Sequence, residues 1–237
     1  EVLGLSSNIY AIIEFNREYT KNVSSFFIKP TYQNVLPEIK AGQFAHIYVQ
    51  IDNNWVERSY TLVPSANDGH YEIFVKRHPN GIFSNWLFDN KEQNTLIRIS
   101  QPVGKFVLRD SSKPILCFAS GIGITPFIAF IREIKKNNLP HRLSIVYIVN
   151  DSSQLIIPQD VMEFIKNSDL IHLHVWEKDK KGFLTEKDVN ETIKKVAPEL
   201  IYICGRLVFH DNHNLLQHLA NLKFPANNIL FEVFIPS

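Results

Sequence analysis

The stretch KPILCFASGIGITPFIAFIREIKK, residues 113–136, decides the fold of the second half of the chain. Its apolar segment 114–119 is typical of a buried strand, and apolar residues recur at helical spacing after Pro126. A glycine turn, GIG, joins the two. A strand, a glycine turn and a helix in this order are suited to bind a phosphate, because free backbone N–H groups and the helix dipole attract an anion.

Two details of this turn bear on its interpretation. Pro126 is suited to the first turn of the predicted helix, because proline needs no acceptor there. The pattern formed by Gly121 and Gly123 lacks the third glycine of the full dinucleotide fingerprint. A plain tight turn after a buried strand is therefore an equally open interpretation of the motif taken alone.

Strands and helices are predicted to alternate throughout the second half. Predicted strands occupy 114–119, 143–149, 170–176, 200–204 and 229–234, and predicted helices occupy 126–137, 158–167, 185–195 and 208–222. This alternation indicates a parallel sheet covered by helices. Ligands of such sheets bind beyond the carboxyl ends of the strands, which here are marked by Gly121, Asn150, Trp176 and Gly205.

The first half is predicted to be a separate β-rich domain. Its strand-like segments are 8–15, 23–29, 43–51, 58–63, 70–77 and 95–100, with a short helix over 84–88. Strands at such regular spacing, separated by Gly, Pro and Asn turns, favour a closed antiparallel barrel of six strands. The predicted fold is therefore a six-stranded β-barrel domain, residues 1–110, followed by an α/β parallel-sheet nucleotide-binding domain, residues 111–237.

Composition excludes several classes of protein. The chain has 237 residues, 45% of them hydrophobic, and a net charge of +1, which argues against a general binder of nucleic acid or anionic membranes. Cys117 and Cys204 are too few for an iron–sulfur cluster and have no metal-ligand spacing, so no metal site is expected. With no apparent membrane span or signal sequence, a reducing cytoplasm is the expected location.

Two groups of residues in the first half have the chemistry to bind a dinucleotide. In RSYT, Arg58 offers a forked donor to a phosphate, Tyr60 a flat ring and Thr61 a hydroxyl. A surface arginine beside a packed barrel tyrosine is the alternative interpretation. In VKRHPNGIFS, residues 75–84, a strand ends in a turn and a helix begins near Gly81, which forms a second potential anion site. Two such sites, one in each domain, are what two dinucleotides would require.

Seven short motifs resemble, in order, those of the ferredoxin–NADP reductase superfamily of flavin reductases. They are GQF at 42–44, RSYT at 58–61, GIFS at 81–84, PVGKF at 102–106, GIGITP at 121–126, CG at 204–205 and the pair Glu232 and Phe234. The match covers nearly the whole chain. The resemblance implies an FAD-dependent NAD(P)H oxidoreductase of the ferredoxin or flavodoxin reductase type or the oxygenase-reductase type. Hydride would pass from nicotinamide to flavin N5, and single electrons would then leave to a ferredoxin, a flavodoxin or a similar carrier protein.

The resemblance also implies roles for individual residues. Tyr60 would stack on the flavin ring, and Thr125 would lie near the junction of flavin and nicotinamide. Three candidate catalytic residues surround the reacting atoms: Thr61 near flavin N5, Cys204 beside the nicotinamide and Glu232 near the reacting centre. The candidate cofactor-binding residues are Arg58, Ser59, Tyr60, Thr61, Val75, Lys76, Gly81, Ile82, Phe83, Ser84, Gly121, Gly123, Thr125, Pro126, Cys204, Gly205, Arg206 and Phe234.

The alternative interpretations of two of these residues are structural. Cys204 could be a small buried hydrophobic residue, as most strand cysteines are. Phe234, which the resemblance places over one face of the flavin until nicotinamide displaces it, could be a final core aromatic.

The coenzyme is predicted from the residues that follow the second parallel strand. Asp151 stands where NADP-preferring members of the superfamily often have a basic residue, and an acidic group near the ribose disfavours a 2′-phosphate. NADH is therefore slightly favoured over NADPH. Arg206 or Lys178, as a contact of the 2′-phosphate, would reverse this preference.

Two other functions stay open at the level of sequence. The chain could be the reductase module of a larger oxygenase or flavohaemoglobin-like system, and the residues after Phe234 could lead into a further domain. It could also be a non-catalytic flavin-binding subunit for electron transfer or docking, because the loop 204–210 departs from the pattern of the superfamily. The sequence does not identify the electron acceptor or the oligomeric state.

Overall fold

The computed structural model describes residues 9–32, 35–65, 69–205 and 214–234. Contacts between Cα atoms divide the chain into two compact units, which meet in sequence at Val107 and Leu108. Within the described ranges, no helix is both long enough and apolar enough to cross a membrane.

The first unit is a curled antiparallel sheet. Its elements are β1 (Ile9–Thr20), β2 (Val23–Pro30), β3 (Phe44–Ile51), β4 (Asn54–Thr61), β5 (Val63–Pro64), β6 (Tyr71–Lys76), α1 (Ile82–Asp89) and β7 (Thr95–Ile99). The hydrogen-bonded order is β4-β3-β7-β1-β2-β6-β5. Helix α1 is longer than the predicted segment 84–88, because it begins directly after Gly81.

The two ends of this sheet belong to one stretch of chain. β4 pairs with β3 and β5 pairs with β6, and Leu62 alone separates β4 from β5 in sequence. The stretch 54–64 therefore supplies both edges and curls the sheet back on itself. The predicted antiparallel barrel is confirmed, and its six strands are obtained when β4 and β5 are counted as one.

Alternating side chains fill the interior of the barrel. In β3, Ala45, Ile47 and Val49 are fully buried and belong to one hydrophobic cluster, whereas the residues between them are partly exposed. The same alternation in β4 places Tyr60 against this core and turns the next residue, Thr61, to the opposite face of the sheet. Strand periodicity thus sets the directions of two candidate site residues.

The second unit is a parallel sheet of five strands between helices. Its elements are β8 (Ile115–Ser120), α2 (Thr125–Asn137), β9 (Leu143–Val149), α3 (Gln159–Asn167), β10 (Ile171–Glu177), α4 (Lys178–Lys181), α5 (Glu186–Val196), β11 (Leu200–Cys204), α6 (Leu215–Asn221) and β12 (Ile229–Glu232). The predicted alternation is confirmed. Of the helix predicted over 208–222, residues 208–213 lie outside the described part of the chain.

The strand order of this sheet is β10-β9-β8-β11-β12. The chain runs outward from β8 to β9 and β10, and then returns to the other side of β8 to form β11 and β12. Strand order therefore reverses between β8 and β11. In open α/β sheets, ligands bind in the crevice outside such a reversal, at the carboxyl ends of the strands.

Both faces of the parallel sheet are covered. On one face, the ring of Tyr202 in β11 lies 5.3 Å from that of Phe130 in α2, centroid to centroid. On the other, Ile201 and Ile203 belong to one hydrophobic cluster with Leu215 of α6. Burial on two faces explains why these strands are continuous apolar runs rather than alternating ones.

Candidate functional site

The first candidate site begins at the end of β4. The ring of Tyr60 lies 5.6 Å from that of Phe83 in α1, centroid to centroid, and burial raises the pKa of Tyr60 well above its usual value. Arg58 is partly buried and its guanidinium donates to the backbone oxygen of Glu57 at 2.6 Å. Ser59 Oγ lies 2.9 Å from His46 Nδ1. The strand end therefore presents a neutral phenol ring fixed by α1, with a guanidinium two residues earlier.

Thr61 supplies a polar atom that the described protein leaves unsatisfied. Its side chain is 4% exposed, and Oγ1 has no hydrogen-bond partner among the described residues. An unpaired buried hydroxyl costs free energy, so it marks a position where a ligand atom can complete the hydrogen bonding. Thr61 therefore fits the hydrogen bond to a flavin that the resemblance implies.

Replacing Thr61 with valine is expected to raise stability and lower activity together. Valine keeps the shape and removes the unpaired hydroxyl, so the flavin-free protein should gain about 1 kcal/mol in free energy of unfolding. The flavin reduction by NADH that the resemblance implies should slow about fivefold, because one hydrogen bond of roughly 1 kcal/mol to the ring is lost. Chemical denaturation and anaerobic stopped-flow absorbance measure the two effects. Unchanged reduction kinetics would remove Thr61 from the site.

The first candidate site also includes the start of α1. Gly81 precedes the helix, no side chain of the described residues caps its first N–H groups, and no acidic residue lies in the first turn. Ser84 Oγ accepts from the N–H of His78 at 3.2 Å and donates to the Gly81 oxygen at 3.3 Å. A Cβ on Gly81 would lie 2.5 Å from Ser84 Oγ, so a larger residue here would displace the Ser84 hydroxyl. The open helix start can receive an anion.

The remaining predicted residues of this unit divide into two groups. Val75 and Phe83 belong to the hydrophobic cluster of the barrel, so only their backbone groups are available to a ligand. Lys76 ends β6 and is exposed, and Ile82 at the start of α1 is 60% exposed.

The second candidate site lies where β8 runs into α2. The residues Gly121–Ile124 form a 3-10 turn that continues directly into the helix, with Pro126 in its first turn as expected. Helical structure therefore begins one turn earlier than predicted. Gly121 has φ +53°, and a Cβ built there meets no atom within 4 Å. The first N–H groups of a helix lack intrahelical acceptors, so this turn offers donors to an anion.

Gly123 and Gly205 have a packing role that the sequence did not reveal. A Cβ on Gly123 would lie 2.4 Å from the carbonyl oxygen of Cys204, and one on Gly205 would lie 2.5 Å from that of Ser120. Gly205 also has φ +107°, which favours glycine. The ends of β8 and β11 therefore touch backbone to backbone at the point where strand order reverses. Thr125 Oγ1 donates to the Ile122 oxygen at 3.1 Å beside this contact.

Cys204 and Glu232 end neighbouring strands and lie directly in register. Burial, and secondly the Glu232 carboxyl, raise the pKa of the Cys204 thiol, so the thiol stays protonated. Glu232 Oε2 is buried without a hydrogen-bond partner among the described residues, and burial raises the pKa of this carboxyl to about 7. A perturbed carboxyl at the carboxyl edge of a parallel sheet is typical of a functional residue. Phe234 follows β12 and is partly buried, and Arg206 lies outside the described residues.

Two carboxylates flank the loop after β9. Asp151 accepts from the Ser153 hydroxyl and, at 2.8 Å, from the Ser153 N–H, and these hydrogen bonds hold its pKa below the usual value. Glu177 ends the neighbouring strand β10. It accepts from Lys180 Nζ at 2.6 Å and from the Ser152 N–H at 2.9 Å, which lower its pKa. The sequence prediction missed Glu177, although an acidic residue at the end of the third parallel strand was the available signal.

Each half of the chain matches a known protein family. Residues 11–108 match the family described as "Oxidoreductase FAD-binding domain", and residues 118–213 match "Oxidoreductase NAD-binding domain". The fold is that of a ferredoxin NADP+ reductase from Neisseria gonorrhoeae with bound FAD and NADP, with a TM-score of 0.76 and 17% identity over 96% of this chain and 99% of that one. The chain therefore consists of an FAD-binding and an NAD-binding oxidoreductase domain.

A flavohemoprotein and a flavohem-like domain are also similar to this chain. The flavohemoprotein of Pseudomonas aeruginosa is 34% identical over 227 residues, which cover 92% of this chain and 56% of that protein. The structure of the flavohem-like FAD/NAD-binding domain of nitric oxide dioxygenase from Vibrio cholerae has a TM-score of 0.78 at 22% identity, over 97% of this chain and all of that one. The chain spans 65% of a Burkholderia flavohemoprotein, and thus less than two thirds of either curated relative.

Proposed function

We propose that this chain is an FAD-dependent NADH reductase that passes single electrons to a carrier protein or domain. The observation that carries the proposal is that an FAD-binding and an NAD-binding oxidoreductase domain follow one another in a single chain. The unsatisfied Thr61 hydroxyl and the perturbed Glu232 carboxyl support it, because each is a costly feature that a bound cofactor would use.

The residues would act mainly by binding and orienting. When bound, FAD supplies the redox chemistry, since it takes up two electrons as hydride and releases them singly. The N–H groups at the starts of α1 and of the turn at Gly121 would hold one pyrophosphate each. Tyr60 and Thr61 would orient the flavin ring.

Cys204 and Glu232 would act at the nicotinamide. The Cys204 thiol is neutral and small, which lets a ring approach the sheet edge without a buried charge. The Glu232 carboxyl, ionised above about pH 7, would stabilise the positive charge that develops on the nicotinamide as hydride leaves.

The experiment that tests this function is an anaerobic titration of the FAD-loaded protein. NADH should bleach the flavin absorbance between 300 and 700 nm at far lower concentration than NADPH. A protein that takes up no FAD would reject the proposal. A protein that binds FAD without oxidising NADH or NADPH would instead be the non-catalytic electron-transfer or docking subunit.

Coenzyme preference is expected to depend on Asp151 and Glu177. Both carboxylates have a pKa held below the usual value, so both are charged at neutral pH and oppose a 2′-phosphate near the loop after β9. In the variant Asp151→Ser, the ratio of kcat/KM for NADH to that for NADPH should fall about fivefold, because one like-charge interaction of about 1 kcal/mol is removed. Asp169→Asn, at the turn before β10, is the matched control. An unchanged ratio in Asp151→Ser would contradict the role of Asp151.

A second candidate function follows from the curated relatives. They are flavohemoproteins of which the chain spans only part, so we also propose that it could serve as the reductase part of a flavohaemoglobin-like system. The NADH-reduced chain should then deliver electrons faster to a haem-containing globin than to a ferredoxin or a flavodoxin. Measuring reduction of the three acceptors side by side distinguishes the two partners.

A further inference from the structure

Arg77 braces helix α1 against the barrel. It follows β6, and its N–H donates to the Asn22 oxygen at 2.8 Å, in the turn between β1 and β2. Its side chain reaches the helix: Nε donates to Asn85 Oδ1 at 2.8 Å, and Nη2 donates to Asp89 Oδ1 at 2.7 Å. One residue therefore fixes the position of α1 relative to two strands of the sheet.

Asn85 links Arg77 to the loop before the helix through hydrogen bonds. With its Oδ1 held by Arg77, its Nδ2 donates to the carbonyl oxygens of His78 at 3.0 Å and Pro79 at 3.2 Å. The N–H of Gly81 donates to the same His78 oxygen at 3.1 Å. These bonds turn two carbonyl groups of the loop towards the body of α1.

The direction of those carbonyl groups matters for an anion at the helix start. A carbonyl oxygen carries partial negative charge, so it would repel a phosphate if it faced the open end of α1. Asn85 holds the His78 and Pro79 carbonyls, and among the described residues no side chain caps the helix and no acidic residue lies in its first turn. The amide of Asn85 thus keeps two carbonyl oxygens away from an anion at the helix start.

We propose that Asn85, held by Arg77, is a positioning residue for the pyrophosphate of FAD. The inference rests on the proposed function and adds a residue to it. Asn85 itself need not touch the cofactor. The larger effect is expected at the phosphate end, because Asn85 bonds to the loop before α1, whereas the flavin ring is assigned to Tyr60 and Thr61 at the end of β4.

The test compares two flavins on the full flavin-free chain. Riboflavin has the flavin ring and its ribityl chain, and FAD adds the pyrophosphate and the adenosine. A loss of affinity for FAD alone therefore indicates a change at the pyrophosphate end and not at the ring. Asn85→Ala should weaken FAD binding about tenfold or more, because two hydrogen bonds that hold the loop are lost. Riboflavin affinity should change by less than about twofold. Fluorescence titration measures both.

Asn90→Ala is the matched control. Asn90 lies at the other end of α1, where its Nδ2 donates to the Trp86 oxygen at 2.9 Å, so the same kind of bond is removed far from the loop. This variant should bind both flavins within about twofold of the wild type. As a second measurement, the 31P resonances of bound FAD should move in Asn85→Ala and stay in place in Asn90→Ala.

Three results would overturn the inference. They are an unchanged FAD affinity in Asn85→Ala, an equal loss of FAD and riboflavin in that variant, and unmoved 31P resonances of its bound FAD. Wild-type protein that binds no FAD would reject the proposed function as well, so the two failures are distinguishable.

Discussion

Replacing Glu232 with glutamine is expected to slow flavin reduction by NADH about a hundredfold at pH 8. The carboxyl ends β12 beside Cys204, its Oε2 has no partner among the described residues, and burial raises its pKa to about 7. Above that pH it is an anion in a poorly solvated place, where under the proposed function it would stabilise positive charge on the nicotinamide more strongly than in water. Glutamine keeps the size and removes the charge.

The pH profile separates this role from a structural one. In the wild type, the rate constant for flavin reduction should rise with an inflection near pH 7, and in Glu232→Gln that inflection should vanish. Single-turnover stopped-flow at saturating NADH measures it. Glu191→Gln, an exposed carboxyl on α5 that lies 3.9 Å from Lys187 Nζ, is the control and should keep the wild-type profile. A retained inflection in Glu232→Gln would assign the titration to another group.

The same carboxyl has an effect of opposite sign on stability. Its pKa in the folded state, about 7, lies above the ordinary value of 4.5, so the folded state binds the proton more tightly. The contribution is therefore fully present below about pH 4.5 and is lost as pH rises through 7. Activity and stability are expected to change in opposite directions across this range, and Glu232→Gln should remove both dependences.

Replacing Gly123 with alanine is expected to abolish reduction by NADH while FAD stays bound. The new Cβ would lie within 2.4 to 2.7 Å of three backbone atoms of Cys204 and Gly205, none of which is the end of a flexible side chain. The ends of β8 and β11 must then separate, which should lower the free energy of unfolding of the second unit by about 3 kcal/mol. Flavin absorbance of the purified variant and its bleaching by NADH measure the two outcomes.

Gly182→Ala is the matched control for Gly123→Ala. Gly182 lies in the same unit with φ +71°, and a Cβ built there meets nothing within 4 Å. Alanine should cost roughly 1–3 kcal/mol of backbone strain, because φ +71° with ψ −161° is essentially a glycine conformation, and should leave the kinetics with NADH unchanged. Retained reduction by NADH in Gly123→Ala, or an equal loss of it in Gly182→Ala, would contradict the role of the contact with Cys204 and Gly205.

Sequence periodicity predicted most of the architecture, because the burial of one face of a helix or strand appears in the sequence as regularly spaced apolar residues. The strand over 143–149 has the predicted bounds, and α2 begins within one residue of the prediction. Less visible was the 3-10 turn at Gly121–Ile124, since glycine and isoleucine there indicate neither helix nor strand. The closure of the barrel was also hidden, because it depends on which strands β4 and β5 pair with.

The candidate site was only partly predictable, because it depends on contacts between segments that are distant in sequence. Motifs identified Thr61, Cys204 and Glu232 one at a time. The register that sets Cys204 beside Glu232, and the burial that raises the Glu232 pKa, are properties of the assembled sheet. Glu177 and Asn85 act through hydrogen bonds to loops, which no motif in the sequence marks. The roles of these residues towards the cofactors stay predictions until the variants are measured.

The stretch 54–64 joins both edges of the barrel and also carries the ring and hydroxyl assigned to the flavin. In a cell that is short of riboflavin, newly made protein would lack FAD, and the stretch 54–64 that closes the barrel would lack the contacts assigned to the flavin. Edges that open expose unpaired strands, which proteases cut and which associate with other chains. The supply of riboflavin during expression is therefore expected to determine the yield of intact protein as well as the fraction that contains FAD.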